Sequence, residues 1–143
     1  MRAIGLDLGT KSLGVAISDS NKIIASGIKN FRYTNNSLDF CIKKIQEIVK
    51  QYKDVDTIVL GYAKYKSGDK STQTYLAEQF MDLLKQNFKH LNLVFHDESY
   101  STTSVISQMK EVGLKYSQIK KNKDKMAAVY ILQDWINSNH VSK

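Results

Sequence analysis

Bulky apolar residues alternate with small or polar ones in three short runs at the start of the chain. Ala3–Leu8 and Leu13–Asp19 are separated by Gly9-Thr10-Lys11-Ser12, and Asp19–Lys22 separates the second run from Ile23–Phe31. Period-two alternation broken by Gly-, Ser- and Asp-bearing segments predicts three strands joined by tight turns, an antiparallel meander. The period then lengthens. Leu38, Cys41, Ile42, Ile45, Ile48, Val49 and Tyr52 recur at helical spacing, with Ser37 placed to cap the start. A compact strand over Thr57–Gly61 follows, then a polar, lysine-bearing loop over Lys64–Lys70. Leu76, Phe80, Leu83, Leu84 and Phe88 mark a second amphipathic helix, and Leu91–His96 a further strand. A helix over Thr103–Val112 ends at Gly113, a residue suited to the left-handed helix end, and a last helix spans Asp124–Asn137.

The order is therefore βββ-α-β-α-β-α-α. Strands alternating with helices require crossover connections and parallel pairing, whereas the opening meander pairs antiparallel. The expected fold class is α/β: a mixed five-stranded sheet, three antiparallel N-terminal strands and then parallel ones, with helices on both faces. Few architectures share this order, and the ribonuclease H-like one is foremost. No repeat, low-complexity tract or linker interrupts the chain, so residues 1–143 read as a single domain.

Composition narrows the chemistry. At 143 residues and 42% hydrophobic content the chain can bury a core without covalent staples, and its one cysteine, Cys41, excludes an internal disulfide or a Cys-based zinc site. Cys41 sits amid apolar residues and reads as a core residue. The N-terminus is too short and too broken for a signal peptide, and no apolar run approaches the roughly 18 residues of a membrane span, so a cytoplasmic protein without membrane partners is expected. The net charge of +7 favours polyanionic partners. Only Arg2 and Arg32 are arginines among the 21 basic residues, so lysine point charges dominate and favour backbone and shape recognition over base reading.

Three carboxylates stand in unusual places. Asp7 interrupts a strand whose alternation puts Ala3, Gly5 and Asp7 on one face and Ile4, Leu6 and Leu8 on the other. The next strand repeats the asymmetry, Gly14, Ala16 and Ser18 being small and Leu13, Val15 and Ile17 bulky. One face of the hairpin thus reads as bare around a carboxylate, with room for an ion and a phosphate; a charge there is costly unless compensated. Glu98 follows the strand Leu91–His96, beyond the carboxyl ends where α/β sheets collect ligands. Asp124 opens the last helix, where capping alone also accounts for an acid. Together, Asp7, Glu98 and Asp124 are candidate ligands for magnesium or manganese, with two ions roughly 4 Å apart able to activate water and stabilise a leaving oxygen. His96 reads as a structural strand-end residue. Lys115, Lys120, Lys121, Lys123 and Lys125 lead into the site and can draw a nucleic-acid backbone toward it. Tyr62, Tyr65 and Tyr100 are candidates for base stacking, although packing is the commoner role.

These residues resemble the YqgF (RuvX) family of pre-16S rRNA nucleases, also described as Holliday-junction-resolvase-like. Ile4-Gly5-Leu6-Asp7-Leu8-Gly9-Thr10-Lys11 followed by Gly14-Val15-Ala16-Ile17-Ser18-Asp19 is similar to the family's opening motif. Asp97-Glu98 followed by Ser101-Thr102-Thr103 is similar to its second, and Lys123-Asp124-Lys125-Met126-Ala127-Ala128 running into Ile131-Leu132-Gln133 to its third. The resemblance implies a ribonuclease H-like fold, divalent-metal catalysis at Asp7, Glu98 and Asp124, and maturation of the 5′ end of small-subunit rRNA. Two positions depart from it. Ser99 stands where the family has arginine, which bears on a phosphate contact, and Gly61-Tyr62-Ala63 replaces a Gly-Leu-Pro element, which bears on the substrate loop.

The expected reaction is phosphodiester hydrolysis by metal-activated water, with Lys11, Lys121, Lys123 and Lys125 as phosphate contacts. Expected partners are structured RNA or branched DNA and pre-ribosomal particles, with monomer and homodimer both open. Three alternatives stay in view. A Holliday junction resolvase shares the chemistry and differs in substrate. A non-catalytic nucleic-acid-binding module keeps the fold and charge alone. An actin-like ATPase or sugar kinase shares Asp-Leu-Gly-Thr but needs a second domain that 143 residues do not supply.

Overall fold

The computed structural model describes residues 1–9, 11–33, 37–62, 72–97 and 127–138. Five strands form one sheet: β1 (Arg2–Leu8), β2 (Ser12–Ser18), β3 (Ala25–Arg32), β4 (Val55–Tyr62) and β5 (Asn92–Asp97), in the order β3-β2-β1-β4-β5. β1 pairs antiparallel with β2, and β2 with β3; β1–β4 and β4–β5 are parallel. The mixed sheet expected from the element order is therefore present, with β1 at its centre. Helices α1 (Leu38–Tyr52) and α2 (Thr72–Asn87) cover one face, and α3 (residues 127–138) covers the other.

Local chemistry sets the boundaries. The β1–β2 turn closes through Gly9 N–H to the Ser12 carbonyl (2.8 Å). In the β2–β3 turn the Asp19 carboxylate accepts the amides of Ile23 (2.6 Å) and Ile24 (2.9 Å). These bonds hold Ile23 and Ile24 out in solvent and hold Asp19 below the usual carboxylate range. β3 consequently begins at Ala25 rather than at Ile23, because the side-chain bonds of the turn override two apolar residues. A bulge then adds Ile28 between the Val15–Lys29 and Ala16–Gly27 pairs. Ser37 occupies the N-cap of α1 but makes no side-chain cap bond; its carbonyl receives the Phe40 amide (3.1 Å). Lys53 closes α1 in the left-handed conformation (φ 63°) and donates its amide to Val49 (3.1 Å).

The alternation along β1 and β2 sorts the core. Ile4, Leu6, Leu13, Val15 and Ile17 face α1 and α2, meeting Cys41, Ile45, Phe80 and Leu84. Cys41 is fully buried, as its apolar setting predicts, and burial pushes its thiol up to about 11. Ala3, Ala16, Ala25 and Val59 face α3, meeting Ala128, Ile131, Leu132 and Ile136. At the edge where β1 begins, charges are paired. Arg2 reaches Asp54 (3.1 Å), and Lys22 reaches Asp56 (2.8 Å).

Candidate functional site

The face read from sequence as bare around Asp7 is largely occupied, and this corrects that reading. Its small residues are the seat of α3. A Cβ placed on Gly5 would lie 2.6 Å from Leu132 Cβ and 3.1 Å from the Ala128 carbonyl oxygen, so β1 and α3 touch almost backbone to backbone. Large residues on α3 fill what small residues on the strands leave open. What remains beyond the helix contact is a single row at the carboxyl end of β1.

That row can be read from the pairing. Asp7 is level with Gly14 on β2, and Gly14 with Asn30 on β3. On the other side, Leu6 is level with Leu60 of β4; one residue further on each strand are Asp7 and Gly61, and Gly61 pairs with His96 of β5. Paired residues share a face, so Asn30, Gly14, Asp7, Gly61 and His96 form one line on the α3 side. The polar members alternate with glycines, leaving the half-buried Asp7 carboxylate without a side chain on either flanking strand at its own level. Glycine inside a strand often marks close approach by a ligand or another backbone. A half-buried carboxylate flanked by glycines suits a hard cation that keeps part of its water shell, and the site's donor set would be oxygen. Among the described residues, no three His, Cys, Asp or Glu side chains gather into a metal-binding group.

His96 ends the row with a specific partner: its Nε2 donates to Asp134 Oδ2 of α3 at 2.7 Å. The structural role expected of His96 thus takes the form of a tie between the β5 end and the helix. Gln133, one residue earlier on α3, accepts the Ala25 amide (2.9 Å) and donates to the Ile23 carbonyl (3.0 Å). Neighbouring side chains of α3 therefore bind opposite edges of the sheet. On the other side of Asp7, the Tyr33 hydroxyl donates to the Gly9 carbonyl and the Tyr33 amide to the Lys11 carbonyl (3.0 Å), which braces the turn after β1. Burial, and secondarily Cys41, push the Tyr33 phenol up to about 12, so it remains a donor near neutral pH. Lys11 is exposed on that turn.

Of the residues predicted to form the site, Asp7 and Lys11 are thus placed. Glu98, Asp124, Lys121, Lys123 and Lys125 lie outside the described residues, as do the expected loop Lys64–Lys70, the helix Thr103–Val112, Tyr65, Tyr100 and the side chain of Tyr62. Sequence reasoning missed Asn30, Gly61 and Asp134. Only the glycines carried a signal, being strand glycines in otherwise apolar runs. Among the described residues no helix is long and apolar enough to cross a membrane.

The comparisons with known proteins agree with this architecture. The model of the family described as "RuvX: Holliday junction resolvase" matches residues 1–138. A protein of Ureaplasma parvum serovar 3 named "Putative pre-16S rRNA nuclease" is 46% identical over 145 aligned residues, covering 98% of this chain and 99% of the relative. A protein of the same name from Mycoplasmopsis pulmonis is 38% identical, covering 96% and 94%. Among solved structures, Thermus thermophilus RuvC in complex with a Holliday junction substrate superposes with a TM-score of 0.68 at 11% identity, covering 98% of this chain and 96% of RuvC. That likeness gives a RuvC-like ribonuclease H fold. The match along nearly the whole chain, in family model and relatives alike, makes this protein a member of the RuvX family.

Proposed function

We propose that this protein is a divalent-metal-dependent nuclease that processes the 5′ end of pre-16S rRNA, with Asp7, Glu98 and Asp124 as its catalytic carboxylates. The observation that carries the reading is Asp7 itself, a half-buried carboxylate at the end of the central strand with glycines flanking it. The relatives' shared name supplies the substrate, and an rRNA substrate implies a cytoplasmic site of action.

Chain positions support the other two ligands. Glu98 is the residue after Asp97, the last of β5. Asp124 stands three residues before Ala127, where the described part of α3 begins, and Ala128 rests on Gly5, two residues from Asp7 on the same face. Magnesium or manganese, as two ions, would supply an activated water and charge stabilisation at the leaving oxygen. Asp7 would be the central ligand, and Glu98 and Asp124 would complete the carboxylate set. Lys11, on the turn just after Asp7, and Lys121, Lys123 and Lys125, just before α3, would hold substrate phosphates by charge. The His96–Asp134 bond would keep the β5 end at a fixed place against α3.

The test is cleavage of a 5′-extended small-subunit rRNA precursor beside a four-way DNA junction, with magnesium or manganese, comparing wild type with Asp7→Asn. Metal-dependent cutting of the RNA, lost in the variant at unchanged melting temperature, is the expected result. The family description favours a second reading, a junction resolvase, and cutting of the junction alone would establish it. Cutting of neither, with ribosomal particles added, would leave a non-catalytic binding module.

A further inference from the structure

The geometry points to Arg32 as a phosphate anchor that holds an RNA strand across the row at Asp7, a role resting on the nuclease reading above. Arg32 ends β3 and pairs in register with Ser12, two residues beyond the Gly14–Asn30 pair. Residues two apart on a strand share a face, so Arg32, Ser12, Asn30, Gly14 and Asp7 all project on the α3 side. From the pairing, its Cα lies two strands across and two residues along from that of Asp7, about 12 Å away for ordinary strand spacings. One phosphate cannot touch both residues. A neighbouring phosphate of the same strand can meet the guanidinium while the bond to be cut lies at Asp7.

The other cations of the sheet are committed elsewhere. Arg2 is bound to Asp54, to the Ser18 carbonyl (3.1 Å) and against the Tyr52 ring (5.4 Å). Lys29 projects to the opposite face, its ammonium 5.5 Å from the centre of the Phe31 ring. Arg32 is exposed and, among the described residues, makes no ion pair or ring contact. It is also the one arginine available to offer a planar fork to a phosphate, in a chain whose other exposed cations are lysines. The plain alternative is that a charge on an edge strand only deters edge-to-edge pairing. That role predicts no effect on RNA affinity.

The two are separated by the salt dependence of RNA binding, measured by fluorescence anisotropy with a labelled 5′-extended small-subunit rRNA fragment and no divalent metal. Each phosphate neutralised contributes about 0.7–0.9 to the slope of log affinity against log salt. Arg32→Ala is expected to flatten the slope by about one such increment, with melting temperature unchanged, and Arg32→Lys to restore it. Lys50→Ala, an exposed cation on α1, is expected to leave it unchanged. An unaltered slope in Arg32→Ala, or an equal drop in Lys50→Ala, would overturn the assignment while leaving the nuclease reading intact. No RNA binding by the wild type would overturn both.

Discussion

The two faces of the sheet are built on opposite terms. On the α1–α2 face the strands contribute Ile4, Leu6, Leu13 and Val15, and the helices answer with Ile45, Phe80 and Leu84, large against large. On the α3 face the strands contribute Ala3, Gly5 and Ala16, and the helix alone brings bulk through Ile131, Leu132 and Ile136. The first face is a thick core, in which removing volume should hurt most. The second is a close contact, in which adding volume should hurt most. Close approach also brings the helix down to the level of the strands, so its polar side chains can reach the row that contains Asp7. The face with the thinner core is thus the one that carries Asp7, Asn30 and His96 in a single row.

Substitutions of opposite sense test the contrast. Phe80→Ala should cost about 3–5 kcal/mol of global stability, read from urea denaturation, because Phe80 is fully buried where α2 meets the sheet. Gly5→Ala adds one methyl yet should cost about 1–3 kcal/mol, since the new carbon would meet the Leu132 Cβ and a carbonyl oxygen rather than the end of a flexible side chain. Hydrogen exchange sharpens the distinction. Gly5→Ala should speed exchange in α3 while amides of α1 stay protected, and uniform acceleration would show that the two faces are one cooperative unit.

A smaller effect is expected at the rim of the α3 face. His96→Ala or Asp134→Ala should each cost roughly 0.5–1 kcal/mol, because the carboxylate is about half exposed and solvent screens it. The double variant should cost little more than either single one, the mark of a direct partnership; full additivity would dissolve the tie. The smallest effect belongs to the opposite, ion-paired rim. Burial acts to raise the Asp56 carboxyl, but the hydrogen bonds from Lys22 and Thr57 outweigh it and hold the group low. In the unfolded chain Asp56 takes up its proton first as pH falls. Its stabilisation is therefore full above the ordinary value of 3.8 and is lost as pH drops through the lower folded value. Asp56→Asn should shallow the fall in melting temperature between about pH 6 and about pH 3, and an unchanged profile would remove Asp56 from the acid response.

Much of this was legible along the chain, and where it was not the reason is specific. All five strands and the first two helices stand where periodicity puts them, with strand ends shifted by a residue or two and α2 beginning four residues before Leu76. The shift at β3 came from the Asp19 carboxylate, whose bonds to two amides no hydropathy pattern records. The small residues around Asp7 were visible, but their meaning was misjudged. Ala3, Gly5 and Ala16 read equally well as space for a ligand or as the seat of a helix, and the choice depends on a segment more than a hundred residues away. His96 could be placed at a strand end, yet nothing local named Asp134 as its partner, 38 residues further on.

Along the chain alone, the five strands, the first two helices, the carboxylate in the central strand, the basic charge and, through the motifs, the family are already settled. Those properties rest on nearest-neighbour chemistry: side-chain period, turn residues and the kinds of atoms present. The tertiary structure alone decided which face of the sheet α3 would close, that Asp7 would lie in a row of glycines ending at His96, and that Arg32 rather than Lys29 would share its side. Those outcomes follow from strand register and helix docking, which bring distant residues to one level. A one-residue slip in pairing would have turned each of them to the other face.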